Sequence, residues 1–252
     1  MNYQNILYEK KEGVAIITIN RPEVLNAINE DTLNELIAAL DEADGDDEVG
    51  VIILTGAGEK AWSAGRDLKS ISQTKEKPGG ARYRKLEEIS KPVIAAVNGY
   101  CLTGAFELAM CADIIIASEN AKFGDTHAKY GLLPGGGASQ RLPRQIGPKR
   151  AKELFFTCTF IDSKRAVELG IANKVVPADK LMEASMETAR AILANDRNSI
   201  RAIKSLVNEG LKGTLEDGLK MEQRHHSGSI ATIGDSKQRL RQFVEKRENQ
   251  QS

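Results

Sequence analysis

The chain has 252 residues, with 35 Lys and Arg against 35 Asp and Glu, so its formal charge is zero. That length can enclose a substantial core in one large domain or a domain with an appendage, and the balanced charge leaves no global field to gather nucleic acid or an anionic membrane, so any anionic ligand must be gripped locally. The opening MNYQNILYEKKEG has no apolar segment of signal-peptide length, no run approaches the ~20 apolar residues of a spanning helix, and Cys101, Cys111 and Cys158 form no C-x-x-C pair; the expectation is a cytoplasmic protein without disulfide framework or metal site, its cysteines serving as small buried apolar residues.

Ile6 to Lys10 and Val14 to Ile19 read as two short strands about the turn Glu12, Gly13. The loop RPEVLNAI follows from Arg21 to Ile28, and then Leu33, Leu36, Ile37 and Leu40 repeat at helical spacing within Asn29 to Ala43. Gly50 to Leu54 is another apolar strand. AWSAGRDLK, Ala61 to Lys69, puts three small residues, Ser63, Ala64 and Gly65, ahead of a charged trio, and Ser70 to Gly80 has the composition of a solvated loop or a flap.

The stretch from Ala95 to Gly137 alternates apolar runs with glycine turns. Pro92 to Val97 reads as a buried strand ending at Asn98, Gly99, and Gly104 precedes a short helix, Ala105 to Met110. Thr103 is the expected N-cap, and free backbone N–H groups cluster around Gly104, where fixed dipoles can hold negative charge developing on a ligand oxygen. Glu107 stands between Phe106 and Leu108. In apolar company its carboxyl has a raised pKa and a use for its proton; the competing reading puts it on the wet face of an amphipathic helix.

Pro148 to Phe156 and Ser163 to Leu169 read as helices, the second capped by Asp162 or Ser163, and Asn173 to Val176 as a last strand. From Ala178 the pattern is helical, with apolar residues at Leu181, Ala184, Ala189, Ile200, Ile203, Leu206, Leu215 and Leu219. The division expected is a strand-rich body, 1–177, and a helical tail, 178–252, that packs on another subunit. His225 and His226 have no cysteine or carboxylate at ligand spacing and read as surface or interface residues. Gly135 to Gly137 lacks the Gly-Lys-Ser/Thr ending of a phosphate loop and is expected to shape an acyl pocket, and Ser139 is outside any G-x-S-x-G elbow.

Four segments in order give the chain its resemblance to the crotonase superfamily, the enoyl-CoA hydratase/isomerase family: RPEVLNAI at 21–28, WSAGRDL at 62–68, AAVNGYCLTGAFELAMCADIIIA at 95–117, and AKFGDTHAKYGLLPGGGASQRLPRQIG at 121–147. QFVEKR at 242–247 is similar to the family's ending. The resemblance implies an α/β fold with a spiral ββα core, a C-terminal helical trimerisation region, a homotrimer or dimer of trimers, and an acyl-CoA thioester as substrate, with no cofactor beyond the coenzyme A of that substrate. It places the oxyanion hole at the main-chain N–H groups of Arg66 and Gly104, a catalytic carboxylate at Glu107, and CoA-binding residues at Leu25, Ala64, Asp67 and Leu68. Lys69 or Lys246 could pair with phosphate, and the Arg66 side chain either approaches a CoA phosphate or turns to solvent or Asp67.

Hydratases of the family carry a second glutamate where this chain has His127. Histidine can shuttle a proton near neutral pH, with Asp125, two residues earlier, or another acid to orient it. Three readings stay open: hydration of a 2-enoyl-CoA, with Glu107 activating water and His127 handling the second proton; double-bond isomerisation or carbon–carbon hydrolysis using His127; or a weakly catalytic acyl-CoA binding protein.

Overall fold

A computed structural model of the chain describes residues 3–69 and 79–228, with backbone alone at 79–81 and 226–228, together with 241, 244 and 245. The solvated loop or flap expected within Ser70 to Gly80 lies outside this set from 70 to 78, as do Lys246 and most of the 242–247 segment.

The strands are β1 (Ile6–Lys11), β2 (Val14–Ile19), β3 (Val51–Gly56), β4 (Ala61–Ser63), β5 (Val93–Val97), β6 (Tyr100–Leu102), β7 (Ile114–Ser118), β8 (Lys122–Gly124), β9 (Ile161–Asp162) and β10 (Lys174–Val176). They form a six-stranded sheet ordered β1-β2-β3-β5-β7-β10 and a four-stranded sheet ordered β4-β6-β8-β9. The β1–β2 hairpin is antiparallel, and the large sheet is parallel from β2 to β10. In three successive turns, β3 then β4, β5 then β6, and β7 then β8, the chain lays one strand in the large sheet and the next in the small one. This is the spiral ββα core.

The strand sequences explain the layering. VIILTG, with Thr55 its one polar side chain, and VIAAV are buried throughout, as parallel strands covered on both faces must be. On one face lies the helix α1 (Glu30–Gly45), capped where the Asn29 side chain accepts from Thr32 N at 2.8 Å, with Leu33, Leu36, Ala39 and Leu40 turned to the core. On the other face α7 (Leu181–Leu193) sets Leu181, Ala184, Met186 and Ala189 against Val51, Ile53, Ile94 and Ile116. The corner between β5 and β6 requires Gly99, since a Cβ there would stand 2.3 Å from Lys60 O. Trp62, wholly buried on β4, donates its indole N–H to Leu54 O of β3 at 3.2 Å and ties the small sheet to the large one.

The remaining helices are α2 (Lys85–Glu88), α3 (Gly104–Ala109), α4 (Ala138–Ile146), α5 (Pro148–Thr157), α6 (Ser163–Glu168), α8 (Arg197–Gly210) and α9 (Leu215–Gly228). Asp162, not Ser163, caps α6 through Arg165 N at 2.8 Å. By compactness the chain divides between Asn195 and Asp196, not at the expected 177/178. The first helix of the expected tail, α7, is part of the core unit because its apolar face has a sheet to cover. Within the second unit α8 and α9 pack together, Asp196 caps α8, and Ile203, Val207, Leu211, Leu215 and Leu219 remain exposed.

Candidate active site

The site is built where the first and second turns of the spiral meet. The 21–28 loop turns through positive φ at Leu25 and Asn26. The buried Asn26 side chain holds that turn: its Nδ2 donates to Ala57 O at 2.9 Å and Ala61 O at 2.7 Å, and its Oδ1 accepts from Arg21 N at 3.0 Å. The loop then zips onto the segment after β4, with Ala64 N donating to Leu25 O at 2.9 Å, Ile28 N to Gly65 O at 2.8 Å and Asp67 N to Ile28 O at 3.0 Å. Leu25, Ala64, Asp67 and Leu68 are thereby brought together, with Leu25 and Leu68 leaving apolar surface exposed. Lys69 is exposed beside them, its N–H donating to Asp67 Oδ1 at 3.0 Å.

This lacing carries Arg66 against the start of α3. A Cβ built on Gly104 would lie 3.4 Å from Arg66 N, and one built on Gly65 would lie 3.1 Å from Gly104 N. Neither amide is among the hydrogen-bond donors found between described residues. The expected cap from Thr103 does not form. Thr103 occupies the N-cap position at φ 54°, but its hydroxyl pairs with Thr126 Oγ1 at 2.6 Å, so the first amides of α3 stay available.

All six residues of α3 are buried, Glu107 included at 2 % exposed. A helix covered all round is embedded in the core, and the wet-face reading of Glu107 is thereby overturned. Phe106 fixes the helix against Phe123 of β8, ring centroids 5.9 Å apart. Glu107 Oε1 accepts from Gly136 N at 2.7 Å and Ala138 N at 3.1 Å, so the glycine run serves the carboxylate directly. Arg141 holds that run in turn, donating to Gly136 O at 2.7 Å and to Glu87. Burial pushes the Glu107 carboxyl above its ordinary 4.5, and the amides of Ala138 and Gly136 and the His127 charge offset this only in part.

His127 is 9 % exposed. Its Nδ1 lies 3.0 and 2.9 Å from the two Asp125 carboxylate oxygens, and its N–H donates to Asp125 Oδ1 at 3.0 Å. With Nδ1 directed at a carboxylate, Nε2 is turned to Glu107 Oε2, 3.8 Å away. That is too long for a direct hydrogen bond and short enough for one water oxygen to reach both atoms.

The Arg66 side chain does not pair with Asp67, which faces Arg21 at 3.4 Å. It is 14 % exposed and lies 3.5 Å from Glu30 of α1. Tyr83, absent from the expected site, is wholly buried with its hydroxyl 3.0 Å from where a Gly104 Cβ would stand. His225 is exposed, with Nδ1 3.2 Å from Met221 O, and among the described residues no cluster of His, Cys, Asp and Glu could hold a metal. Among those residues, too, no helix is long and apolar enough to cross a membrane.

A two-sheet ββα spiral with a buried carboxylate and histidine beside two main-chain amides defines the crotonase class of enzymes. The sequence profile of the enoyl-CoA hydratase/isomerase family matches residues 9–251, and the chain belongs to that family. It is 39 % identical to the short-chain-enoyl-CoA hydratase of Clostridium acetobutylicum over 98 % of this chain and 97 % of that one, and equally to the crotonyl-CoA hydratase of Syntrophomonas wolfei over the same shares. Among solved structures, an enoyl-CoA hydratase from Bacillus anthracis superposes with a TM-score of 0.91 at 36 % identity, covering 96 % of this chain and 97 % of that one.

Proposed function

We propose that this protein hydrates a 2-enoyl-CoA to the 3-hydroxyacyl-CoA. The observation that carries the reading is the buried Glu107 carboxylate, oriented through Oε1 by two amides and facing His127 through Oε2, next to the amides of Arg66 and Gly104. In this reading those two amides hold the thioester oxygen, and each such donor contributes on the order of a hundredfold to a thousandfold in rate.

Glu107 Oε2 takes a proton from water as the water oxygen bonds to C3. The C2–C3 π electrons pass to the thioester oxygen as an enolate, and the imidazolium of His127 protonates C2 from Nε2. Transfer of the proton from Glu107 to His127 resets the site. Burial supports Glu107 as the base, because a raised pKa makes its carboxylate more basic than an ordinary one. The Asp125 carboxylate at Nδ1 fixes the ring so that Nε2 faces Glu107. Leu25, Ala64, Asp67 and Leu68 line the coenzyme A side. The relatives named as enoyl-CoA hydratases support the same reaction here. The exposed apolar residues of α8 and α9 support a homotrimer or dimer of trimers, and a cytoplasmic location fits the composition.

The test follows loss of the conjugated enoyl thioester absorbance with crotonyl-CoA. Glu107→Gln and His127→Ala are each expected to lower kcat by about a hundredfold or more. Product without added water would replace hydration by isomerisation, cleavage of a chain or ring by hydrolysis, and tight binding with no turnover would leave an acyl-CoA binding protein.

A further inference from the structure

Among the described residues, the buried side-chain polar atoms without a hydrogen-bond partner are Tyr8 Oη, Asn98 Oδ1, Arg66 Nε, Arg66 Nη1 and Tyr83 Oη. The last three fall at one place. The point where a Gly104 Cβ would stand is 3.0 Å from Tyr83 Oη and 3.3 Å from Arg66 Cγ, and the other end of the Tyr83 ring is 2.6 Å from the corresponding point at Gly136, beside the Glu107 carboxylate. Tyr83, 1 % exposed, thus runs from the carboxylate to the amide pair and ends against the arginine. Tyr83 and Arg66 act on each other across this point, and a buried donor left unmade costs more than a made hydrogen bond returns, so the donors still without a partner mark a place that a ligand group completes.

The chemistry of the missing group follows from the inventory. A guanidinium can only donate and a phenol readily donates, so an acceptor is wanted. At the Arg66 end of Tyr83, away from the Glu107 carboxylate, cations outnumber carboxylates. Glu30, 3.5 Å from Arg66, is also in closer contact with Arg82, so two cations share one carboxylate, and the adjacent Asp67 is engaged by Arg21. An anion therefore complements the site, and a carboxylate can accept from one guanidinium nitrogen and the phenol together. It is not a coenzyme A phosphate, because the Arg66 stem lies against Gly104, where the thioester is held, and the phosphates are the length of the pantetheine arm away.

We propose that the acyl group bound here carries a carboxylate of its own, received by the Arg66 guanidinium and the Tyr83 hydroxyl. The proposal rests on the reading of the ligand as an acyl-CoA thioester held at Arg66 and Gly104. It makes the substrate a 2-enoyl-CoA with an acidic acyl chain, and Arg66 a residue with two tasks, its amide for the thioester and its side chain for the acyl carboxylate.

Calorimetric titration of the full chain with glutaryl-CoA and valeryl-CoA tests this, since the two acyl groups have five carbons each, neither can be hydrated, and only one ends in a carboxylate. Glutaryl-CoA is expected to bind roughly tenfold to a hundredfold tighter, the range of a charge-assisted hydrogen bond. Arg66→Gln and Tyr83→Phe are each expected to reduce that preference several-fold, with thermal melts checking that each variant folds. The near-isosteric Tyr83→Phe carries the test should the arginine variant not fold. Equal affinities in the unaltered protein, or a preference that survives both substitutions, would overturn the proposal. Hydration of crotonyl-CoA and of glutaconyl-CoA, a 2-enoyl-CoA that ends in a carboxylate, is measured separately: absence of turnover of both with the glutaryl preference intact removes the hydratase reading alone, and turnover without the preference removes this one alone.

Discussion

Gly136→Ala isolates the placement of the candidate carboxylate. The backbone at Gly136 is not in the left-handed region, so alanine meets no conformational penalty and the effect is steric. Its Cβ would stand 2.6 Å from Tyr83 Cδ2, 2.8 Å from Glu107 Oε2 and 2.9 Å from Glu107 Cδ, where carbon pairs rest at about 3.5–4.0 Å. Glu107 cannot withdraw without lengthening its bonds to Gly136 N and Ala138 N, now 2.7 and 3.1 Å. The tyrosine is packed at its far end against Gly104, and Arg141 pins Gly136 O at 2.7 Å. Overpacking of this kind costs about 1–3 kcal/mol of stability, and a shift of about 1 Å in a reacting group costs on the order of a hundredfold in rate. Crotonyl-CoA turnover and a thermal melt read the two effects, with Gly45→Ala as the control because a Cβ there meets nothing within 4 Å. A Gly136→Ala protein with kcat within about threefold of the original and an unchanged melt would refute the reasoning, since it would mean that the carboxylate position does not limit the rate.

Glu107 also links stability to pH. Its folded pKa lies above the ordinary 4.5, so below that value both states hold the proton, and as pH rises the unfolded chain releases it first. The original protein is therefore expected to lose stability relative to Glu107→Gln as pH rises from 4.5, until the folded carboxyl has also ionised; a flat or opposite difference in urea unfolding across pH would contradict burial as the cause. Asp125→Asn keeps the shape beside His127 but removes the charge at Nδ1, and kcat is expected to fall at least about tenfold with KM little changed, as when a catalytic histidine loses its orienting carboxylate. Equal loss from Asp125→Asn and Asp125→Ala in KM alone would assign Asp125 to binding.

Much of the scaffold is legible in the order of residues because the strands of the large sheet are long enough to show their type. VAIITI and VIILTG, each interrupted by a single threonine, and VIAAV are apolar runs, and Asn29 before a 3.6-residue apolar repeat announces α1. The strands of the small sheet escape notice for the opposite reason: β4, β6 and β8 have three residues each, too few to display alternation. The Thr103 cap fails because its hydroxyl has a better-placed partner 23 residues on, which no local rule foresees. Glu107 is findable from its apolar neighbours, whereas the two-residue spacing to His127 makes Asp125 a candidate without showing the contact. The bonds that Gly136 and Ala138 send to Glu107 span 29 and 31 residues and depend on how the spiral closes. Tyr83 had a signal of its own, since Tyr83, Leu86 and Ile89 repeat at threes and all are buried, but the charged residues between them mask it.

The account depends most on the Arg66 and Gly104 amides gripping one thioester oxygen. Isotope-edited infrared spectra of a bound enoyl-CoA, labelled with carbon-13 at the thioester carbonyl, read that grip without waiting for turnover. Two hydrogen bonds to the oxygen weaken the carbon–oxygen bond, so the labelled stretch is expected at lower frequency in the complex than in free solution. A band that stays at or above its solution position would mean that the oxygen is not held there.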